Sequence, residues 1–575
     1  MKQVDSRRLP GPNLLWIRPG AVIDVSVFPD QSPALVCAWE RQARCILDAV
    51  GWVDEKTRVR TFSGGASFAI SAPLDALYAA TEVNEWAFET AIAGLAGEPV
   101  EDSSAAAERL RRTISEEVNP RLIALRQAAL SRDVDFLSDD DRVSVGLGTG
   151  SLTWDVDALP TPSEVDWTAR HAVPTALVTG TNGKTTTVRL LSAIAQAAGK
   201  IPGLSSTDQV QVGEEVVDAG DWSGPGGARL VLRDQRVEVA VLETARGGML
   251  RRGLALERAD VAAVLNVGAD HLGEWGVGSL EGLCRGKFVV TTVAPLVVLN
   301  ADDEAVSCAG RALERDSGKR VVWFTLGSGP DWLADHLSAG GRAYRFDGDR
   351  LLRCEGDREQ ALVSASEIPI AAGGAARHNV ANALAAAAVA EALGLDEESV
   401  VRGLTGFQAD DTDNPGRMNR FDLSGVDVIV DFAHNPHGMN AILEMASALP
   451  AKRRLVLLGQ AGDRDDESIR ELARSTWAAR PDRIILKDLT VHRRGREEGE
   501  VIELLAAELQ SCGAPPESWT TAPGEMEAVE DALNWSQSGD LLILLAHDSP
   551  RRVLERVRDL KTQGWAPGDP LPPRG

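Results

Sequence analysis

The sequence predicts an α/β protein: a P-loop parallel-sheet central domain, a Rossmann-like C-terminal domain and a smaller α+β N-terminal domain. Three observations predict it. The apolar run Ala176-Leu177-Val178 stops at a glycine-rich turn, after which Val188, Leu191, Ala195 and Ala198 recur at helical spacing. Further short apolar runs, Val239–Leu242, Val261–Leu265 and Leu296–Leu299, then alternate with helical stretches. The same alternation restarts at Val426–Val430 and continues through Leu455–Leu458, Ile484–Leu486 and Leu541–Leu545, this time without a dinucleotide fingerprint. At 575 residues there is room for about three domains, each with its own core.

Sixty Lys and Arg stand against 85 Asp and Glu, a formal charge of −25. That balance argues against broad binding to nucleic acid or an acidic membrane surface, which need a basic face. It leaves ATP open, because a local pocket can be positive on an acidic protein, and it leaves a homo-oligomer open. The six cysteines are scattered, with no CxxC pair, as expected of reduced thiols in the cytoplasm. No apolar run approaches the length of a membrane span.

Residues 1–135 form the expected N-terminal module. Ala21 to Val27 alternates partly at strand period, and Leu110 to Leu130 carries apolar residues at helical spacing. Residues 136–170 are expected to be a linker, with Ser138-Asp139-Asp140-Asp141, several glycines, Pro160 and Pro162. The central domain is expected over 171–412 and the C-terminal domain over 413–575.

The segment Gly180-Thr181-Asn182-Gly183-Lys184-Thr185-Thr186 carries the chemistry. A strand, a glycine-rich turn and a helix N-terminus aim backbone N–H groups at an anion, and the helix dipole favours negative charge there. Lys184 adds a full positive charge and the Thr185 hydroxyl can hold Mg²⁺. The turn is shorter than the usual P-loop, since Val178 stands where that pattern has its first glycine. Glu243, Asn266 with Asp270-His271, and Asn300-Ala301-Asp302-Asp303 follow the later apolar runs. Polar residues past the carboxyl ends of parallel strands are where α/β sheets place ligands.

Together with Lys287, these strings resemble the Mur ligase superfamily. Glu243-Thr244-Ala245-Arg246-Gly247-Gly248 and Gly220-Asp221…Gly224-Pro225 are most similar to the Mur-ligase half of the cyanophycin synthetases. The match runs over about residues 170–575, and the opening Arg7-Arg8-Leu9-Pro10-Gly11-Pro12 resembles the start of the N-terminal domain of those enzymes. The resemblance implies an ATP-dependent ligase that joins a small-molecule or peptide carboxylate to the amine of an amino acid or peptide, through an acyl phosphate, releasing ADP and phosphate. It implies catalytic roles for Lys184, Glu243, His271 and Lys287, and Mg²⁺ held by Thr185, Glu243 and His271. Lys287 matches the lysine that many Mur ligases carry as a carbamate. Asn382, Arg417, Asp431 and His434 match residues that reach the nucleotide.

The resemblance is incomplete. Cyanophycin synthetases carry an ATP-grasp domain between the two matching parts, and here the linker is far too short for one. Where their N-terminal domain has histidines in a helix, this chain has Glu82-Val83-Asn84-Glu85-Trp86-Ala87-Phe88-Glu89. An alternative is a nucleotide-binding, non-catalytic subunit that assists a separate ATP-grasp enzyme. A P-loop GTPase would want an Asn-Lys-x-Asp string, and none occurs.

Overall fold

A computed structural model describes residues 2–26, 32–270, 273–410 and 412–574. The chain divides into two compact units, the first comprising Met1–Phe324, Pro330–Ala343 and Ala385–Val400, the second the remainder. All six cysteines are free thiols. Among the described residues no helix is long and apolar enough to cross a membrane.

The first unit opens with a four-stranded antiparallel sheet in the order Lys2–Leu9, Gly20–Ser26, Gly65–Ser71, Thr57–Phe62. Val27, at the end of the expected strand, lies outside the described residues. Helices Ser32–Ala49, Leu77–Ala96 and Ser103–Glu117 cover the sheet. Trp39, Phe68 and Phe88 stack in their core at 5.0 and 5.9 Å between ring centroids. Buried Asn84 accepts from Trp39 Nε1 and donates to the Phe68 carbonyl, so this polar group is satisfied inside.

The helical stretch expected through Leu130 is two helices, Ser103–Glu117 and Pro120–Leu130. Pro120 has no N–H to continue the first, and the Asn119 side chain caps the second by accepting from Leu122 N. The segment read as a linker carries a three-stranded antiparallel sheet, Phe136–Ser138, Arg142–Val145 and Leu152–Asp155, over a small core with Leu125 and Val165.

The P-loop sheet of this unit runs in the order Glu215–Ala219, Gln209–Val212, Pro202–Ser205, Val239–Glu243, Thr175–Thr179, Val261–Val264, Leu296–Asn300, Arg320–Thr325. From Pro202–Ser205 onward the pairs are parallel, and the first two strands form an antiparallel edge. Strands buried on both faces read as continuous apolar runs, as Val239–Glu243, Val261–Val264 and Leu296–Asn300 do over most of their length. The chain adds Pro202–Ser205 and Val239–Glu243 on one side of Thr175–Thr179, then crosses to its other side with Val261–Val264. That reversal puts the glycine-rich turn at a topological switch point, where a crevice opens past the strand ends.

In the second unit Asn419–Leu423 pairs antiparallel with Val426–Asp431, and the parallel strands Leu541–Leu545, Arg454–Leu458, Arg483–Lys487 and Trp519–Ala522 follow. Leu541, Ile543 and Leu545 face helices Pro436–Ala448, Asp466–Ala478 and Glu500–Ser511. Leu542 and Leu544 face Glu525–Trp535 and Pro550–Thr562. This is the Rossmann-like arrangement expected from the sequence.

Candidate active site

Strand Thr175–Thr179 delivers the chain to the turn, and helix Lys184–Ala197 leaves it. Gly183, the residue before the helix, has φ 85° and no side chain with which to cap the first turn. The helix therefore presents its first N–H groups and its dipole to whatever enters the crevice. Asn266, at the end of the neighbouring strand, shapes the turn: its Oδ1 accepts from Asn182 N at 2.8 Å and its Nδ2 donates to Asn182 O at 3.1 Å. Thr181 ties the same two segments together, its hydroxyl accepting from Gly268 N at 2.9 Å and its own N–H donating to Asn266 O. Lys184 Nζ rests on the Thr181 carbonyl at 3.1 Å, curled over the turn it would share with a phosphate.

Beside this turn lies a cluster of oxygens. Thr185 Oγ1 donates to Glu243 Oε2 at 2.8 Å and lies 3.1 Å from Thr207 Oγ1, while Thr207 N reaches Glu243 Oε2 at 3.3 Å. Glu243 is only 2% exposed, at the end of the strand next to the P-loop strand. Thr207 was not singled out in the sequence; a lone threonine in a Ser-Ser-Thr-Asp turn carries no signal until the fold brings it to Glu243.

The donor set suits Mg²⁺. That ion takes oxygen ligands, keeps several waters and needs few protein groups besides substrate phosphates. Among the described residues no three His, Cys, Asp or Glu converge on one point. His271, with Leu272 after it, lies outside the described residues.

Lys287 ends the helix Leu280–Lys287 and is 4% exposed. Burial, with Lys184 and Arg246 nearby, pushes its amine down to about 7, against a partial pull from Asp270. An amine of that kind is about half deprotonated near pH 7, and the deprotonated form is the nucleophile that carbamate formation from CO₂ requires. Arg246, at the start of helix Arg246–Arg252, pairs with Glu274 at 2.6 Å.

The sequence-predicted residues of the second unit also come together. Asn382 Nδ2 donates to Asn379 Oδ1, and Asn379 Nδ2 in turn reaches Met418 Sδ at 3.1 Å. Asp431 accepts from Met418 N at 2.8 Å and from Ala433 N at 2.7 Å, pinning the Arg417-Met418 turn to the strand end. Burial still raises the Asp431 carboxyl to about 6, the two N–H groups and Arg417 opposing it. Arg417 sits 5.6 Å from the Phe432 ring centroid. His434 Nδ1 lies 2.9 Å from the Phe432 carbonyl, and Gln460 Nε2 donates to the His434 carbonyl. A buried ion pair, Lys487 with Glu525, lies under the same strand ends, Lys487 also donating to Leu545 O.

Residues 178–390 match the model of the Mur ligase middle domain, and residues 416–547 that of the Mur ligase, glutamate ligase domain. This chain belongs to the Mur ligase superfamily. Among its Mur ligase relatives is a cyanophycin synthetase of Nostoc sp., 36% identical over 395 residues, 68% of this chain and 43% of that protein. The UDP-N-acetylmuramoylalanine–D-glutamate ligase of Methylococcus capsulatus is 31% identical over 300 residues, 52% of this chain and 55% of that protein. The chain thus spans less than half the length of the cyanophycin synthetases it matches. The solved structure of E. coli FolC in complex with DHPP and ADP is similar at 18% identity and a TM-score of 0.48, covering 68% of this chain and 89% of that one.

Proposed function

We propose that this Mur ligase family member is an ATP-dependent acid–amino acid ligase. A substrate carboxylate oxygen attacks the γ-phosphorus of ATP, the bond to the β-phosphate oxygen breaks, and ADP leaves. The amine nitrogen then attacks the acyl carbon of the resulting acyl phosphate. The carbon–oxygen bond to phosphate breaks, the nitrogen loses a proton, and an amide and phosphate remain. The observation that carries this reading is the Thr185–Glu243 contact at 2.8 Å, set at the open N-terminus of the P-loop helix.

Lys184 and the N–H groups of Gly180 to Thr186 would hold the phosphates and offset charge that shifts during transfer. Thr185, Glu243 and, from the resemblance, His271 would hold Mg²⁺, which supplies charge neutralisation on the phosphates when bound. Lys287 as a carbamate would add an anionic group to the site. Asn382, Arg417, Asp431 and His434 remain nucleotide-binding candidates on the resemblance, supported by their convergence within their own unit.

The domain division 1–135, 136–170, 171–412 and 413–575 belongs to the same proposal, supported by the separate sheets within those bounds. Six free thiols fit a reducing compartment such as the cytoplasm.

The test is product analysis by mass spectrometry. Purified protein is incubated with ATP, Mg²⁺ and pools of amino acids, dipeptides and other carboxylates. ADP and phosphate are expected only when a carboxylate and an amine are both present, with a product of their summed mass less water. AMP and pyrophosphate would overturn the acyl-phosphate route. Nucleotide binding without turnover across all pools would favour the non-catalytic partner subunit.

A further inference from the structure

The first unit contains a contact between its N-terminal sheet and a loop of the P-loop domain that neither the ligase chemistry nor the motifs call for. Arg60, on strand Thr57–Phe62, donates from Nη2 to the Trp275 carbonyl at 2.7 Å and from Nη1 to the Gly276 carbonyl at 3.2 Å. Arg7, on strand Lys2–Leu9, lies with its guanidinium 4.5 Å from the Trp275 ring centroid. The same guanidinium donates from Nε and Nη2 to the Leu250 carbonyl, in the helix that starts at Arg246. Asp5 and Asp24 fix Arg7 from the other side at 2.7 and 2.6 Å.

The loop these arginines grip is bent in an unusual way. Gly273, Trp275 and Gly276 have φ of 97°, 55° and 67°. Left-handed backbone is ordinary for glycine but sparsely populated for a bulky residue such as Trp275, and it persists only where surroundings over-determine it. Here part of the surroundings comes from the N-terminal sheet, while Trp275 also packs on the core of the P-loop domain. Phe62 closes on Gly276 so tightly that a Cβ there would lie 2.5 Å from the ring. From inside this loop Glu274 reaches Arg246 at 2.6 Å, and Arg246 is near enough to act on buried Lys287. In sequence the loop begins two residues after His271.

We infer that Arg60 and Arg7 are positioning residues of the ligase: they hold loop Gly273–Val277 in its left-handed form and, through Glu274, hold Arg246 at the catalytic centre. The N-terminal module then has a role in catalysis itself, as a brace on the metal-side loop, separate from any part it plays in holding substrate. The assignment of Arg246 and the metal side rests on the ligase reading above; the brace does not.

The experiment compares the full chain with Arg60→Ala, Arg60→Lys and Glu274→Gln by amide hydrogen exchange without ligand. The Mg²⁺ dependence of AMP-PNP binding is then measured by calorimetry on each. In Arg60→Ala, exchange over residues 273–279 is expected to speed up by about tenfold or more, with residues 175–197 unchanged. The Mg²⁺ needed for half-maximal AMP-PNP binding is expected to rise about tenfold, as when an outer partner of a metal site is removed. Arg60→Lys, which keeps the charge but not the forked donor, should recover part of both effects. Glu274→Gln should shift the Mg²⁺ dependence while leaving loop exchange near that of the native chain.

A folded Arg60→Ala whose loop exchange is unchanged overturns the brace. Faster exchange with an unmoved Mg²⁺ dependence overturns its link to the site. If Arg60→Ala does not fold, the Arg60→Lys comparison decides the same two questions. A native chain that binds no AMP-PNP at any Mg²⁺ concentration would sink the ligase reading, and the exchange data would still decide the brace.

Discussion

The Thr185 hydroxyl donates to Glu243 Oε2 across 2.8 Å, joining the first turn of the P-loop helix to the end of the adjacent parallel strand. The two residues are 58 positions apart, and the contact exists because their strands are neighbours. Removing either side should therefore act on metal-dependent nucleotide binding before it acts on the fold. Thr185→Val and Glu243→Gln are each expected to raise the Mg²⁺ requirement for AMP-PNP binding by about tenfold or more. Calorimetric titration at several Mg²⁺ concentrations checks this, and identical isotherms would remove Glu243 from the metal set.

On the proposed mechanism, Lys184 would face the position where phosphoryl charge is reorganised. Lys184→Ala should lower kcat by roughly a hundredfold or more, as for loss of one preorganised electrostatic group. Thermal stability should move little, because among the described residues the Lys184 ammonium donates to the Thr181 carbonyl of its own turn. A steady-state rate measured by ADP release, beside a melting curve, separates the two effects.

Lys287 links pH to stability. Its buried amine sits at about 7 against an ordinary value of 10.5, so between those pH values the unfolded chain holds a proton that the folded chain has given up. Stability contributed by this position therefore rises with pH across that window. In CO₂-free buffer Lys287→Met should be more stable than the native chain near pH 7, and the gap should close toward pH 10. Denaturant titrations at pH 7, 8 and 9 measure it, and a gap independent of pH would contradict the burial argument.

The carbamate reading makes a separate prediction for the same residue. Lys287→Ala should lose most activity and recover part of it when formate or acetate is added, since a short carboxylate can occupy the vacated anionic position. Full activity of Lys287→Ala without rescue would assign the lysine a structural role only.

In the second unit, Lys487 and Glu525 form a fully buried pair, and Glu525 also accepts from the N–H groups of His547 and Ser549. Lys487→Ala leaves that carboxylate without its cation in a dry core. A loss of about 3–5 kcal/mol is expected, the usual cost of breaking a buried pair from one side. Urea unfolding followed by tryptophan fluorescence measures it, and a loss below about 1 kcal/mol, the range of exposed pairs, would show the site to be solvated.

Apolar runs of four to five residues marked the parallel strands because a strand covered on both faces cannot alternate. Thr175–Thr179, Val239–Glu243 and Leu541–Leu545 were legible for that reason, and so was the helix from Lys184, whose apolar residues repeat at helical spacing. The grouping of the glycine-rich turn, Lys184, Thr185 and Glu243 as candidates was legible too, since a phosphate site would need those residue types next to each other or at a strand end, and Thr185 and Glu243 do meet. The break at Asn119-Pro120 was readable in principle: a proline in a helical pattern is a local signal that periodicity alone overlooks. Other features depend on contacts between residues far apart in the chain, and no local pattern encodes those. Thr207 reaches Glu243 only because the strand before it lies next to Val239–Glu243. Lys287 became a low-pKa amine only when folding removed its water and set two cations near it. Arg60 grips Trp275 from 215 residues away, a pairing decided by how the N-terminal sheet packs on the P-loop domain. Sequence thus determined the elements and the chemistry they could carry, through spacing and residue type; which side chains meet, and how dry they are when they do, was decided by tertiary packing.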